Sequence, residues 1–246
     1  MPKHAILKDQ EYTLPFNIDN ISSGMTIINN TAYFIPPVSS DFSGTASLYL
    51  IQSFAPHTFH MLDEESLLDT LGTIIPIYNV ELDTHDTSIL GLENINDYLV
   101  LILMTHNQLV FQTINPITGK LISERTTGDL PPLSTNYTYI PFISDNSLSL
   151  ILNLDSIHSL LIGTSINTNG QITAISSVIS TDNENLNYHS SFLSFVNNKL
   201  FLFESVWDSE TDNSLLLSVY GGTKLIYKGK FITNSFFNSL SVKEAS

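Results

Sequence analysis

Cysteine is absent from the 246 residues, which removes disulfides, thiolate catalysis, iron–sulfur clusters and cysteine-bound zinc together. The compartment stays open, because a chain without thiols is stable on either side of a membrane. Positive charge is scarce: 9 Lys and Arg stand against 24 Asp and Glu, a formal net charge of −15. Nucleic-acid binding needs clustered cations whose docking releases counterions, and no such cluster is read here, so no nucleic-acid partner is expected. Long apolar runs are also missing. The longest, residues 98–104, falls far short of the roughly 18–20 residues that span hydrocarbon, and anionic headgroups repel so acidic a chain. Residues 1–10 hold no apolar segment of secretory-signal length. These features predict a soluble protein without membrane insertion, cytoplasmic by default and extracellular if the chain is a processed product or a fragment.

Apolar residues make up 42% of the chain, but charged residues only 13%, against about 25% in an ordinary soluble domain. Ser, Thr and Asn must therefore cover much of the surface. Ser and Asn compete with helical hydrogen bonds, whereas branched and aromatic side chains pack well on pleated sheets, so the composition predicts an all-β fold. Three acceptor sequons begin at Asn20, Asn29 and Asn136; a chain so rich in Asn and Ser produces them by coincidence.

A short Asn- or Asp-bearing turn between two apolar strands occurs four times, at Asn29-Asn30, Asn96-Asp97, Asp145-Asn146 and Asn197-Asn198. Asn and Asp tolerate the positive φ that tight hairpins require. After each turn comes a similar third strand, beginning at Ser47, Gln108, Ser159 and Ser214. Gly-, Asn- or Pro-bearing turns follow at residues 115–120, 167–170 and 220–223, with Ala55-Pro56 as a poorer match in the first unit. Four antiparallel strands per unit, repeated without helices, describe the blades of a β-propeller. The continuous apolar runs 98–104 and 200–203 suit strands sandwiched between sheets. The prediction is one domain over residues 1–246, with units at roughly 21–66, 88–130, 136–181 and 189–232, forming either a closed four-blade ring or an incomplete propeller. The alternative is a β-sandwich, which alternates apolar and polar faces more cleanly. Two apolar strips, 11–16 and 231–237, remain over, to seal the ring or to belong to neighbouring blades. Residues 71–80 read as an inserted strand or as an outer strand of the first unit, with Pro76 suited to an edge. Residues 63–71 form the best helix candidate.

The turn Asn115-Pro-Ile-Thr-Gly-Lys-Leu-Ile122 resembles the Asp-x-x-Thr-Gly-Lys turn of quinoprotein-like propellers. That resemblance implies a propeller fold. It implies no quinone catalysis, since the family's vicinal disulfide is impossible here and the only tryptophan, Trp207, lies in another unit.

Catalytic and metal motifs are sparse. His57 and His60 are three apart, a spacing that points them to opposite faces of a strand. Asp208, Glu210 and Asp212 have the alternate carboxylates that suit Ca²⁺ but lack the glycine and distal glutamate of a calcium loop. Asp83 and Asp86 form a similar polar stretch. No nucleophile elbow or phosphate cradle is found, and no organic cofactor is expected. Two functions stand. One is a non-enzymatic interaction or ligand-binding module, with a protein or small ligand, basic ones being favoured by the acidic charge, or another propeller segment or subunit as partner. The other is a glycoside hydrolase with axial carboxylates, for which Asp19, Glu93, Asp129 and Glu184 are the candidates.

Overall fold

The computed structural model describes residues 24–29, 31–36, 44–51, 74–82, 87–105, 108–130, 139–144, 146–153, 159–180, 191–207, 213–233, 240 and 242. Among these residues sixteen strands make four four-stranded antiparallel sheets, each built from consecutive strands. The first holds β1 (Met25–Ile28), β2 (Thr31–Phe34), β3 (Gly44–Ile51) and β4 (Ile74–Leu82). The second holds β5 (Thr87–Ile95), β6 (Tyr98–Thr105), β7 (Gln108–Ile114) and β8 (Leu121–Thr126). The third runs through β9 (Tyr139–Ser144), β10 (Ser147–Asn153), β11 (Ser159–Ile166) and β12 (Ile172–Ser180), and the fourth through β13 (Ser191–Val196), β14 (Lys199–Trp207), β15 (Asn213–Gly221) and β16 (Lys224–Thr233). The described residues contain no helix. The helix candidate at 63–71, the strip 11–16 and the Ala55-Pro56 turn lie outside them.

Three of the four hairpin turns obey the backbone rule that suggested them; Asp145 of the third turn lies outside the described residues. Asn29, Asn96, Asp97, Asn197 and Asn198 all have positive φ, between 47° and 61°. Three apolar layers then stack the sheets in chain order. Leu48, Val80 and Leu82 of the first sheet meet Leu99, Leu101 and Leu103 of the second. On the other face of the second sheet, Val100, Ile102 and Phe111 meet Leu148, Leu150 and Ile162 of the third. Ile151, Leu161 and Val178, on the third sheet's opposite face, meet Leu193, Phe195, Leu200 and Leu202 of the fourth. This succession of stacked meanders is propeller-like and excludes the two-sheet sandwich.

The fourth sheet makes no comparable contact with the first among the described residues, so the four sheets form an open array and not a closed four-blade ring. That corrects the reading of residues 200–203 as sandwiched on both faces. Leu200 and Leu202 are buried against the third sheet, whereas Phe201 and Phe203 point the other way and are half-buried. The backbone N–H of Val242 donates to Ser194 Oγ at 3.3 Å, on that same outward side of β13. Residues 74–82 are the outer strand of the first sheet, with Pro76 on its edge, and residues 231–233 are the end of β16 and not a leftover strip.

Outer turns lock the second and third sheets to the one before each. In the second sheet Asn115 Oδ1 accepts from the N–H groups of Ile117 and Thr118, both at 2.9 Å, and Gly119 has φ +65°. A Cβ on Gly119 would run into the carbonyl oxygen of Ile77 in β4. The residues that resemble a quinoprotein turn thus form a packed turn. The third sheet repeats the device: Thr113 Oγ1 donates to the Gly170 carbonyl at 2.6 Å, and Gly170 sits against Tyr98 and Ile122. The fourth sheet does not. Space is open around its turn glycine, Gly222.

Candidate functional site

Of the two described carboxylates proposed for catalysis, Glu93 and Asp129, only Glu93 is drawn into an inter-sheet contact. A bulge in β5 makes Leu90 the extra residue opposite β6 and turns Gly91 toward the third sheet. The hydroxyl of Tyr139, from β9, occupies the space that a Gly91 side chain would need. There Tyr139 donates to Glu93 Oε1 at 2.8 Å. The bond joins the first strands of two successive sheets, 46 residues apart.

Burial pushes the Glu93 carboxyl above the ordinary glutamate range, although the hydroxyl's hydrogen bond works in the opposite direction. Tyr139 is held well above its usual value, chiefly by burial and further by the Glu93 charge. A carboxyl whose folded pKa exceeds its unfolded value contributes most at low pH and loses that contribution as pH rises through the folded value. Glu93→Gln keeps an oxygen to accept from Tyr139 and removes the titration. Its melting temperature should therefore exceed that of the wild type at about pH 7 and match it at about pH 4. Equal melting curves at both pH values would show that burial does not hold this carboxyl up.

Asp129 is elsewhere. It accepts from Gln108 Nε2 at 2.8 Å on the exposed rim. Gln108 pairs with Thr105 and Glu93 with Val100, rows five residues apart on β6, or about 17 Å. The structure therefore does not bring Glu93 and Asp129 together. Asp19 and Glu184 lie outside the described residues, as do Asp208, Glu210, Asp212, Asp83, Asp86, His57 and His60. Among the described residues no group of three or more His, Asp or Glu is placed to hold a metal ion. No described helix is long and apolar enough to cross a membrane.

The other candidate surface is β16, which sequence reasoning passed over. Its sequence, Lys-Leu-Ile-Tyr-Lys-Gly-Lys-Phe-Ile-Thr, carries three of the chain's nine cations and no acid. The strand pairs with β15 along its length and ends the sheet. Leu225, Ile226, Tyr227, Phe231 and Ile232 are all exposed, Ile232 to 79%. Pairing with β15 puts Tyr227, Gly229 and Phe231 on the outward face and Lys228 and Lys230 on the opposite one. The lysine spacing was the available signal. It carries weight only once the strand is known to be an exposed edge.

No family model matches the chain, and no curated protein matches it. Among the solved structures that are similar in part are the following three. The catalytic domain of a GH62 alpha-L-arabinofuranosidase from Coprinopsis cinerea is 9% identical with a TM-score of 0.38, covering 93% of this chain and 76% of its own. An uncharacterised protein of Listeria monocytogenes is 11% identical with a TM-score of 0.31, covering 85% of this chain and 67% of its own. A functionally unknown protein from Desulfotomaculum acetoxidans is 11% identical with a TM-score of 0.20, covering 85% and 88%. At such identities and scores no activity passes from these proteins to this chain, and its function has to be argued from its own surfaces.

Proposed function

We propose that the protein is a non-enzymatic interaction module whose docking surface is the outer part of the fourth sheet. One observation carries this reading: five large apolar side chains of β16 stand exposed together on the last strand of the last sheet. Scattered exposed apolar residues are ordinary, but five on one edge strand, with Tyr227 and Phe231 on one face and Leu225 and Ile232 on the other, mark a strand that another molecule covers. The open turn at Gly222 fits the same picture, since the second and third sheets bury their corresponding turns on a neighbour.

Glu93 favours the hydrolase reading to a limited degree. A carboxyl raised by burial suits a general acid. Glycoside hydrolysis also asks for a second carboxyl at about 5–10 Å, and Glu93 is joined to Tyr139 instead, with Asp129 a long way along the sheet.

The two readings separate experimentally. A binding partner identified with the wild type should be lost from Ile226→Asp and Phe231→Asp variants, whose exposed positions leave the fold intact. Retention of that partner by both variants overturns the docking surface. Glycoside turnover that disappears in Glu93→Gln overturns the non-enzymatic reading.

A further inference from the structure

We infer that the C-terminal residues Leu240 and Val242 form an intrachain cap on the outward face of the fourth sheet, where a further sheet would stack, and that the cap keeps a second copy of the chain off that face. The inference concerns β13 to β15 and goes beyond the docking reading, which concerns β16.

The face needs a cover. Leu200, Leu202 and Tyr220 are directed at the third sheet, so their alternates Phe201, Phe203, Leu217 and Val219 are directed away from it. Three strand spacings of about 4.8 Å and eight residue steps of about 3.3 Å make a face of about 400 Å². Monomeric proteins rarely leave a contiguous apolar patch larger than a few hundred Å² open to water.

Burial across this face is uneven, and the unevenness shows where the cover sits. Ser194 of β13 and Val219 of β15 are each 7% exposed, whereas Tyr227 and Phe231 of β16, on the same face, are each 47% exposed. At the other end of the array, β1 of the first sheet turns Met25 and Ile27 outward, and both are exposed. Lying at an end of the array therefore does not by itself bury a sheet's first strand.

The residues that cover β13 come from the end of the chain. The Val242 N–H donates to Ser194 Oγ at 3.3 Å, and Leu240 and Val242 are both half-buried. Residues two apart share one side of an extended segment. Ser239, Ser241 and Lys243 alternate with them in the sequence, the pattern of a segment with one apolar and one polar side. Such a segment shelters the apolar face and offers water a polar one, as terminal caps do in repeat arrays. Nine residues carry the chain from Thr233 to Val242, a length that reaches up to about 30 Å and so exceeds the width of the sheet. Without the cap, one uncharged face on two identical chains is self-complementary, and a two-fold arrangement covers both copies at once.

The test begins with proximity. The chain has no cysteine, so thiols can be placed as a single pair. The double change Ser194→Cys, Val242→Cys should form an intrachain disulfide under mild oxidation at least about tenfold faster than Ile117→Cys with Val242→Cys, because Ile117 lies in the exposed turn of the second sheet. Equal rates overturn the cap. A chain ending at Ser239, and Val242→Asp in the full chain, should each take up the apolar dye anilinonaphthalenesulfonate several-fold more than the wild type. Both should also sediment as concentration-dependent dimers, with circular dichroism confirming the strand content. If the shortened chain loses strand content, Val242→Asp and Leu240→Asp in the full chain decide the matter. Wild-type dye uptake in these variants, or dye uptake without association, overturns the inference. The β16 reading is tested separately by Ile226→Asp and Phe231→Asp, so the two can fail independently.

Discussion

Replacing Phe111 with alanine is expected to destabilise the protein by about 3–5 kcal/mol, the cost of removing a buried aromatic ring and leaving its cavity. Among the described residues Phe111 is the largest fully buried side chain, and it lies in the layer between the second and third sheets, among Ile102, Leu148, Leu150 and Ile162. Native domains are stable by only about 5–15 kcal/mol, so this one ring accounts for a large share of the margin. Its position in the array raises the stakes. In a row of sheets each unit depends on its neighbours, and the layer under Phe111 joins the first pair of sheets to the second pair. Urea denaturation followed by far-ultraviolet circular dichroism should show a lower midpoint, and a broader transition if the halves come apart. Ile117→Ala is the control. Ile117 is 90% exposed in the outer turn of the second sheet, and its loss should change stability by less than about 0.5 kcal/mol. A Phe111→Ala cost below about 1 kcal/mol would mean that the second and third sheets do not pack through this ring.

The repeat was legible because its turns are a local backbone problem. Asn96-Asp97 and Asn197-Asn198 have positive φ whatever surrounds them, and short polar residues meet that demand at low cost. The strands beside them were legible for the same reason, since Leu99 to Leu103 are apolar on both faces and both faces are covered. Ring closure was not legible. Phe201 and Phe203 are as apolar as the residues of β6, and nothing in their spacing distinguishes a face covered by a sheet from one that ends the array. The outer strand of the first sheet was ambiguous because residues 52–73 separate β4 from the strand it pairs with. Glu93 appeared in the sequence beside three equivalent carboxylates. What sets it apart is Tyr139, which comes from the next repeat and reaches it only because β5 bulges at Gly91. Long-range partners of that kind leave no local spacing to find. The lysines of β16 were visible as residues, but their meaning depends on which strand ends the sheet, and pairing order is a tertiary fact.

Gly163 should tolerate almost no side chain, and its intolerance tests the packing of the third sheet on the fourth. The residue lies within β11, paired with Ser149 on one side and Ser176 on the other. Glycine weakens a strand, so its presence in mid-strand calls for a reason, and close approach of another group is a common one. Here the group is the ring of Phe195 from β13: a Cβ on Gly163 would collide with its Cβ, Cγ and Cδ2 atoms. The ring is 3% exposed and cannot swing into solvent without opening the layer formed by Ile151, Leu161, Val178 and Leu202. Gly163→Val is therefore expected to cost about 3 kcal/mol, at the upper end of overpacking penalties, and Gly163→Ala about 1–2 kcal/mol. A double-mutant cycle identifies the cause. Phe195→Ala alone should destabilise by about 3–5 kcal/mol, but adding Gly163→Ala to it should cost almost nothing further, a coupling of about 1 kcal/mol or more. Additive losses would place the strain of Gly163→Ala in the β11 backbone and not against Phe195. Coupling would establish that the Phe195 ring, seated over the bare backbone of Gly163, is one of the contacts that hold the fourth sheet, whose outer strand we assign to partner binding, on the third.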